Sequence, residues 1–217
     1  MNRLAIFDCD GTLVDGQAAV CETMERAFGT IGAPPPERTA IRRTVGLSLP
    51  LAVRQLMMDG REVDRLQVVD AYKRIFRDIR LSGKLHEPLF DGMRELLERL
   101  SADGWLLGVA TGKSDRGLHS CLETHGIKDL FVTLHGADRY PSKPNPAMLE
   151  AALVEVGVEP QAAVMIGDTS FDMEMARAAD IRAIGVAWGY HEPRELLQTG
   201  ASAVAETMEE LEDMIRG

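Results

Sequence analysis

Two carboxylates stand one residue apart at Asp8 and Asp10, where the apolar run Leu4-Ala5-Ile6-Phe7 ends and Gly11-Thr12 opens a turn. Side chains alternate along a strand, so both acids leave it on the same side. Two acids in one crevice repel each other unless a cation or a shared proton compensates. The pair therefore points to metal-assisted or acid/base chemistry. Comparable residues follow at two later strand ends. Thr111 emerges from Val109-Ala110, and Asp168 and Asp172 lie in Gly167-Asp168-Thr169-Ser170-Phe171-Asp172. Between them Lys143 sits in Ser142-Lys143-Pro144-Asn145-Pro146, a loop stiffened by two prolines. Acids, a hydroxyl and a cation are the parts needed to bind Mg²⁺ and to attack phosphorus.

Taken singly, each of these residues has a plainer role. A lone Asp-x-Asp more often caps a helix or solvates a turn. Asp168 and Asp172 suit an N-cap and a first-turn acid. Most lysines are solvated surface residues. The chemical reading rests on all of them meeting at one end of one sheet.

The surrounding pattern supplies such a sheet. Residues 4–8 read as a first strand. From about Gln17 to Arg80 the pattern is helical, with pieces over 18–31 and from about Glu37, Leu49 and Glu62. Gly32-Ala33-Pro34-Pro35-Pro36, Gly46, Pro50 and Gly60 separate them. Residues 81–89 form a return linker. Strand and helix then alternate, with strands over 105–110, 130–134, 162–166, 182–187 and 203–205. Helices are expected over 91–100, 115–124, 146–156, 171–179 and 193–197, and from about Met208. Such alternation argues for an α/β fold whose parallel sheet is covered on both faces. In these folds ligands bind at the carboxyl ends of the strands. The expected division is a core of residues 1–15 and 86–217, with an all-helical domain of residues 16–85 inserted after the first strand.

Composition narrows the function classes. A net charge of −10 and the absence of a dense Lys/Arg cluster argue against nucleic acid. No run approaches the roughly 18 apolar residues of a membrane helix, and the short apolar N-terminal run is unlike a signal peptide. Three cysteines, Cys9, Cys21 and Cys121, lack zinc spacing and cannot all pair, which favours a reducing cytoplasm. The five histidines form no ligand-like spacing. Gly112-Lys113-Ser114 imitates the end of a nucleotide-binding P-loop, but Leu107 stands where that motif needs glycine.

Asp8-Cys9-Asp10-Gly11-Thr12, the strand-terminal Thr111, the loop Lys143 and Gly167-Asp168-x-x-x-Asp172, in this order and with a helical insertion, resemble the haloacid dehalogenase-like superfamily. The chain looks most like its phosphoglycolate phosphatases, which carry a helical cap of the first type. The resemblance implies a Rossmann-like parallel-sheet core and an inserted all-helical cap. It implies that Asp8 is the nucleophile that forms an aspartyl-phosphate. Asp10 would protonate the leaving alcohol and later activate water. Thr111 and Lys143 would hold the phosphoryl oxygens. Mg²⁺ would be the cofactor, with Asp8, the Asp10 backbone carbonyl and Asp168 as ligands and Asp172 as a ligand or a support. Gly11, Thr12 and Gly112 would complete the phosphate site, with Arg43 and Gly46 (and Arg42 beside them) as cap contacts to the substrate.

The dehalogenases lack an acid at the position of Asp10, so its presence favours phosphoryl transfer. A β-phosphoglucomutase-like protein would carry arginine three residues beyond the cap glycine, and this chain has Leu49 there. Asp180 replaces a glycine usual after the helix of the fourth motif. The implied substrate is a small phosphorylated metabolite such as phosphoglycolate. A sugar phosphomutase and a non-catalytic binder of a phosphorylated ligand are the alternatives.

Overall fold

The computed structural model describes residues 2–217. Six parallel strands form one sheet: β1 (Arg3–Phe7), β2 (Trp105–Ala110), β3 (Thr133–His135), β4 (Ala163–Gly167), β5 (Arg182–Val186) and β6 (Ala203–Ala205). Their order is β3-β2-β1-β4-β5-β6. The chain reverses its direction of travel across the sheet at β1, which lies between β2 and β4. That is the topological switch point, where an open α/β sheet leaves its crevice.

The period of two along each strand feeds two cores. From β1, Ala5 and Phe7 join Leu107, Val109 and Ile166 on one face. Leu4 and Ile6 join Met165 and Ala183 on the other. Helices α5 (Met93–Ala102), α6 (Asp115–Thr124) and α10 (Met208–Arg216) cover the first face. Helices α7 (Ala147–Val156), α8 (Ser170–Ala178) and α9 (Pro193–Thr199) cover the second. Strands buried on both faces have to be apolar throughout, which is why they read as continuous hydrophobic runs.

The α/β fold expected from the alternation is the observed one. One element is displaced. The expected strand over 130–134 is a 3-10 turn at Lys128–Leu130 followed by β3 at Thr133–His135. Ile127 and Phe131 are buried against the core from irregular backbone, so their burial gave no information about extended structure. Pairing with Gly108–Ala110 of β2 sets where the strand starts. Asp180, where glycine is the usual residue, adopts a left-handed φ of 56°. Aspartate is among the few residues that tolerate that conformation.

Between β1 and α5 the chain makes four helices: α1 (Gln17–Gly29), α2 (Arg38–Arg42), α3 (Leu49–Leu56) and α4 (Glu62–Leu81). They share a third apolar cluster built on Met24, Phe28, Ile41, Val53 and Val68. Two strands of linker run side by side beneath them. The Asp15 N–H donates to the Pro88 carbonyl at 2.8 Å, and Val14 bridges to Leu89. The helical layer is drawn onto the sheet by the loop before α3. The Ser48 N–H donates to Ser142 Oγ at 2.8 Å.

Candidate active site

The carboxyl ends of β1, β2 and β4 deliver the expected residues to one place. Asp8 follows β1 and is fully buried. Its N–H continues the sheet by donating to the Ile166 carbonyl at 2.8 Å. Its Oδ1 accepts from the Cys9 N–H at 2.7 Å and lies 2.9 Å from Lys143 Nζ. Its Oδ2 is buried and has no hydrogen-bond partner. Lys143 is completely buried and also donates to Asp172 Oδ1 at 2.6 Å. An unpaired lysine would not be tolerated there, and this one holds its charge through two acids. Burial opposes that charge, yet Asp172 and Asp8 together keep the Lys143 ammonium above its ordinary pKa.

Asp168, after β4, is anchored on both oxygens. Thr12 donates its hydroxyl to Oδ1 at 2.8 Å, and the Tyr190 N–H donates to Oδ2 at 2.9 Å. Asp172 closes a capping box at the start of α8. Its Oδ2 accepts from the Thr169 N–H at 3.0 Å and the Thr169 hydroxyl at 2.7 Å. Both Asp172 oxygens are therefore engaged, as both Asp168 oxygens are.

Asp8, Asp168 and Asp172 can bring ligand oxygens within 4.8 Å of one another, all buried. Lys143 is the one cation bonded to Asp8 and Asp172 among the described residues. Burial, set against the pull of Lys143 and helped by the charge of Asp172, pushes the Asp8 carboxyl up to about 7. Burial and then the charges of Asp8 and Asp172 also raise Asp168. Three buried carboxylates, one ammonium and an orphaned Asp8 oxygen make an all-oxygen site short of positive charge. Mg²⁺ fits that donor set.

Above this floor lies a cleft of about 770 Å³, roofed by the helical layer. Asp8, Asp10, Thr111, Gly112 and Gly46 line it. Thr111 is buried, and its Oγ1 accepts from the Lys113 N–H at 3.2 Å. Asp10 is reached by Lys113, whose Nζ donates to Oδ1 at 2.7 Å. Gly112 must be glycine because a β-carbon there would stand 2.5 Å from the Gly46 and Leu47 carbonyl oxygens of the roof. Gly11 has φ of 87°, and the Asp168 carboxylate and the Tyr190 ring fill the space a side chain would need.

Three expected substrate contacts have other positions. The Thr12 hydroxyl donates to Asp168 Oδ1 at 2.8 Å. Arg43 does not line the cleft. Its guanidinium forms a two-pronged ion pair with Glu195 of α9, at 2.6 and 2.9 Å. Arg42 is likewise absent from the lining. The cations that do face the cleft were not singled out from sequence. Besides Lys113, they are Lys73, Arg74, Arg77 and Arg80 of α4, with Arg116 of α6 opposite. Lys73, Arg77 and Arg80 recur at helical spacing on one face, which is the signal that could have found them. Glu87, whose carboxylate receives Lys113 Nζ at 2.8 Å, had no such signal.

A family model for haloacid dehalogenase-like hydrolases matches residues 5–186. The protein named Probable phosphatase IndB of Dickeya dadantii (strain 3937) is 33% identical over 213 residues, covering 97% of this chain and 92% of that one. The phosphoglycolate phosphatase of Pseudomonas putida (strain KT2440) is 29% identical over 214 residues, covering 96% of this chain and 78% of the other. Among solved structures, a hydrolase of the haloacid dehalogenase-like family from Streptococcus pneumoniae superposes with a TM-score of 0.86. It is 25% identical, with 98% of each chain covered.

Proposed function

The chain belongs to the haloacid dehalogenase-like hydrolases, and from that premise we propose that it is a Mg²⁺-dependent phosphatase of small phosphorylated metabolites, phosphoglycolate-like in its substrate. One observation carries the reading. Asp8 stands at the switch point of the sheet with one oxygen held by Lys143 and the other free, on the floor of a cleft roofed by the helices.

In this reading Asp8 attacks phosphorus, forming an aspartyl-phosphate as the bond to the leaving alcohol breaks. Asp10 gives its proton to the leaving oxygen, then takes one from the water that attacks the same phosphorus and frees Asp8. Lys143 and Thr111 steady the phosphoryl oxygens where charge builds up. Mg²⁺, held by Asp8, Asp168 and the Asp10 backbone carbonyl, would supply the positive charge that lets a carboxylate approach an anionic phosphate. Thr12 and Tyr190 fix Asp168 for that task, and Asp172 fixes Lys143.

Leu49 lines the cleft at the place where a mutase-like chain would present arginine, which supports hydrolysis over isomerisation. The volume of the cleft suits a metabolite and leaves no room for a folded partner. Phosphate release from a panel of metabolite phosphates, with and without millimolar Mg²⁺, tests the reading. Mg²⁺-dependent release from a small phosphomonoester is the expected result. No release from any member at any Mg²⁺ concentration would contradict it and favour a non-catalytic binder.

A further inference from the structure

Lys113 is enclosed between core and roof. Its side chain is 8% exposed, and its Nζ donates to Asp10 Oδ1 at 2.7 Å and to Glu87 Oε1 at 2.8 Å. The Glu87 side chain is itself 6% exposed. Glu87 lies on the linker by which the chain returns from the four helices to the core. That linker is clamped to the outgoing one by the Asp15–Pro88 and Val14–Leu89 contacts. The Glu87 carbonyl also meets His125 Nε2 of the core at 2.7 Å. On the outgoing linker, Gly16 approaches the same pair of acids. A β-carbon there would stand 3.1 Å from Asp10 Oδ1 and 3.3 Å from Glu87 Oε1. From the roof, the Phe76 ring of α4 lies 5.7 Å from Lys113 Nζ.

The family chemistry uses none of Glu87, Gly16 and Phe76, yet Glu87 and Phe76 meet the lysine that holds the proton carrier and Gly16 meets the two acids that lysine joins. We propose that Glu87 is a positioning residue for proton transfer: it pins Lys113, and through Lys113 it fixes the Asp10 carboxyl at the mouth of the phosphoryl site. A lysine on a flexible four-carbon stem with one partner can swing, whereas one shared between the buried Glu87 and the half-buried Asp10 carboxylates is held in place. Because Glu87 rides on the return linker, Asp10 keeps its place while the linker keeps its path under the closed roof. The step served is the one in which the Asp8–phosphorus bond forms, the bond to the leaving oxygen breaks and the Asp10 proton passes to that oxygen. The inference rests on the phosphatase reading above.

A leaving group that departs without help does not need that proton. The test is single-turnover release of phenol from phenyl phosphate and of p-nitrophenolate from p-nitrophenyl phosphate, with enzyme in excess and Mg²⁺ present. These conditions isolate formation of the phosphoenzyme from its hydrolysis. Glu87→Gln should slow phenol release about tenfold while changing p-nitrophenolate release less than about twofold. Lys113→Met should show the same split, and the double variant should be no worse than Lys113→Met, since the two residues act in series. Equal losses on both substrates in either variant would mean a merely structural role and would overturn the proposal. So would no loss on phenyl phosphate. If the unaltered enzyme releases neither phenol, the phosphatase reading itself fails and takes the proposal with it.

Discussion

The floor of the cleft and its roof handle charge in opposite ways. On the floor every charge is buried and shared: Lys143 between Asp8 and Asp172, Asp168 between Thr12 and Tyr190. On the roof, Lys73, Arg74 and Arg77 of α4 are exposed to the cleft, and Arg77 pairs with Asp78 at 3.4 Å. Buried charges must be placed to within a fraction of an ångström because an unpaired one is costly. Exposed cations can reach for ligands of different shape. In the proposed phosphatase the reaction would then belong to the sheet and the choice of leaving group to the helices.

Breaking the floor should give the largest effect. Lys143→Met removes the cation shared by Asp8 and Asp172. Turnover should fall by about three orders of magnitude or more. Removing one partner of a buried pair costs about 3–5 kcal/mol, so the melting temperature should drop by roughly 10 °C. Steady-state kinetics and calorimetry check both parts. A variant that keeps either full activity or full stability would dissolve the contrast.

The roof should respond differently. Arg77→Ala and Arg80→Ala should raise KM about three- to tenfold for 2-phosphoglycolate, which carries a carboxylate beside its phosphate, with kcat nearly unchanged. KM for p-nitrophenyl phosphate, whose only charged group is the phosphate itself, should stay within about twofold. Melting should shift little, since exposed charges contribute little to stability. A fall in kcat equal to that of a floor variant would move these arginines into the chemical machinery.

The smallest effect lies at the edge of the sheet, away from the cleft. His135 on β3 is held below its ordinary pKa by burial, against the opposing charge of Glu155, with Arg139 lowering it further and Asp115 raising it. The unfolded chain thus takes up this proton first as pH falls below about 6.5. Stability due to His135 is present above that pH and is lost on acidification. Replacing His135 by Gln should flatten the fall in melting temperature between pH 7.5 and pH 5.5 by an amount on the order of 1 °C. An unchanged slope in His135→Gln would show that other groups carry the acid response.

The floor was legible in sequence and most of the roof was not. Asp8, Thr111, Lys143 and Asp168 sit at strand ends or in a proline-stiffened loop, where local pattern alone says which way a side chain leaves. The same locality explains the sheet, since each strand is apolar by itself. Arg43 misled because its partner, Glu195, is 152 residues away on α9. Glu87 was invisible because its side-chain partner, Lys113, lies 26 residues away beyond the end of β2. The α4 cations had the right spacing, but which face of α4 meets the cleft depends on how the four helices pack on one another. β3 was misplaced for a related reason: burial of Ile127 and Phe131 on irregular backbone looks in sequence like the start of a strand.

The division of labour depends most on Asp8 as the group that carries the phosphoryl. The direct measurement is to mix the enzyme with p-nitrophenyl phosphate and Mg²⁺, quench in acid within the first turnover and map the peptides by mass. The account predicts one added phosphoryl group on the peptide containing Asp8. It further predicts neither the adduct nor turnover in Asp8→Asn, while that variant melts no lower than the unaltered protein because it relieves a buried, charge-crowded cluster. A phosphoryl group on any other residue, or full turnover by Asp8→Asn, would contradict it.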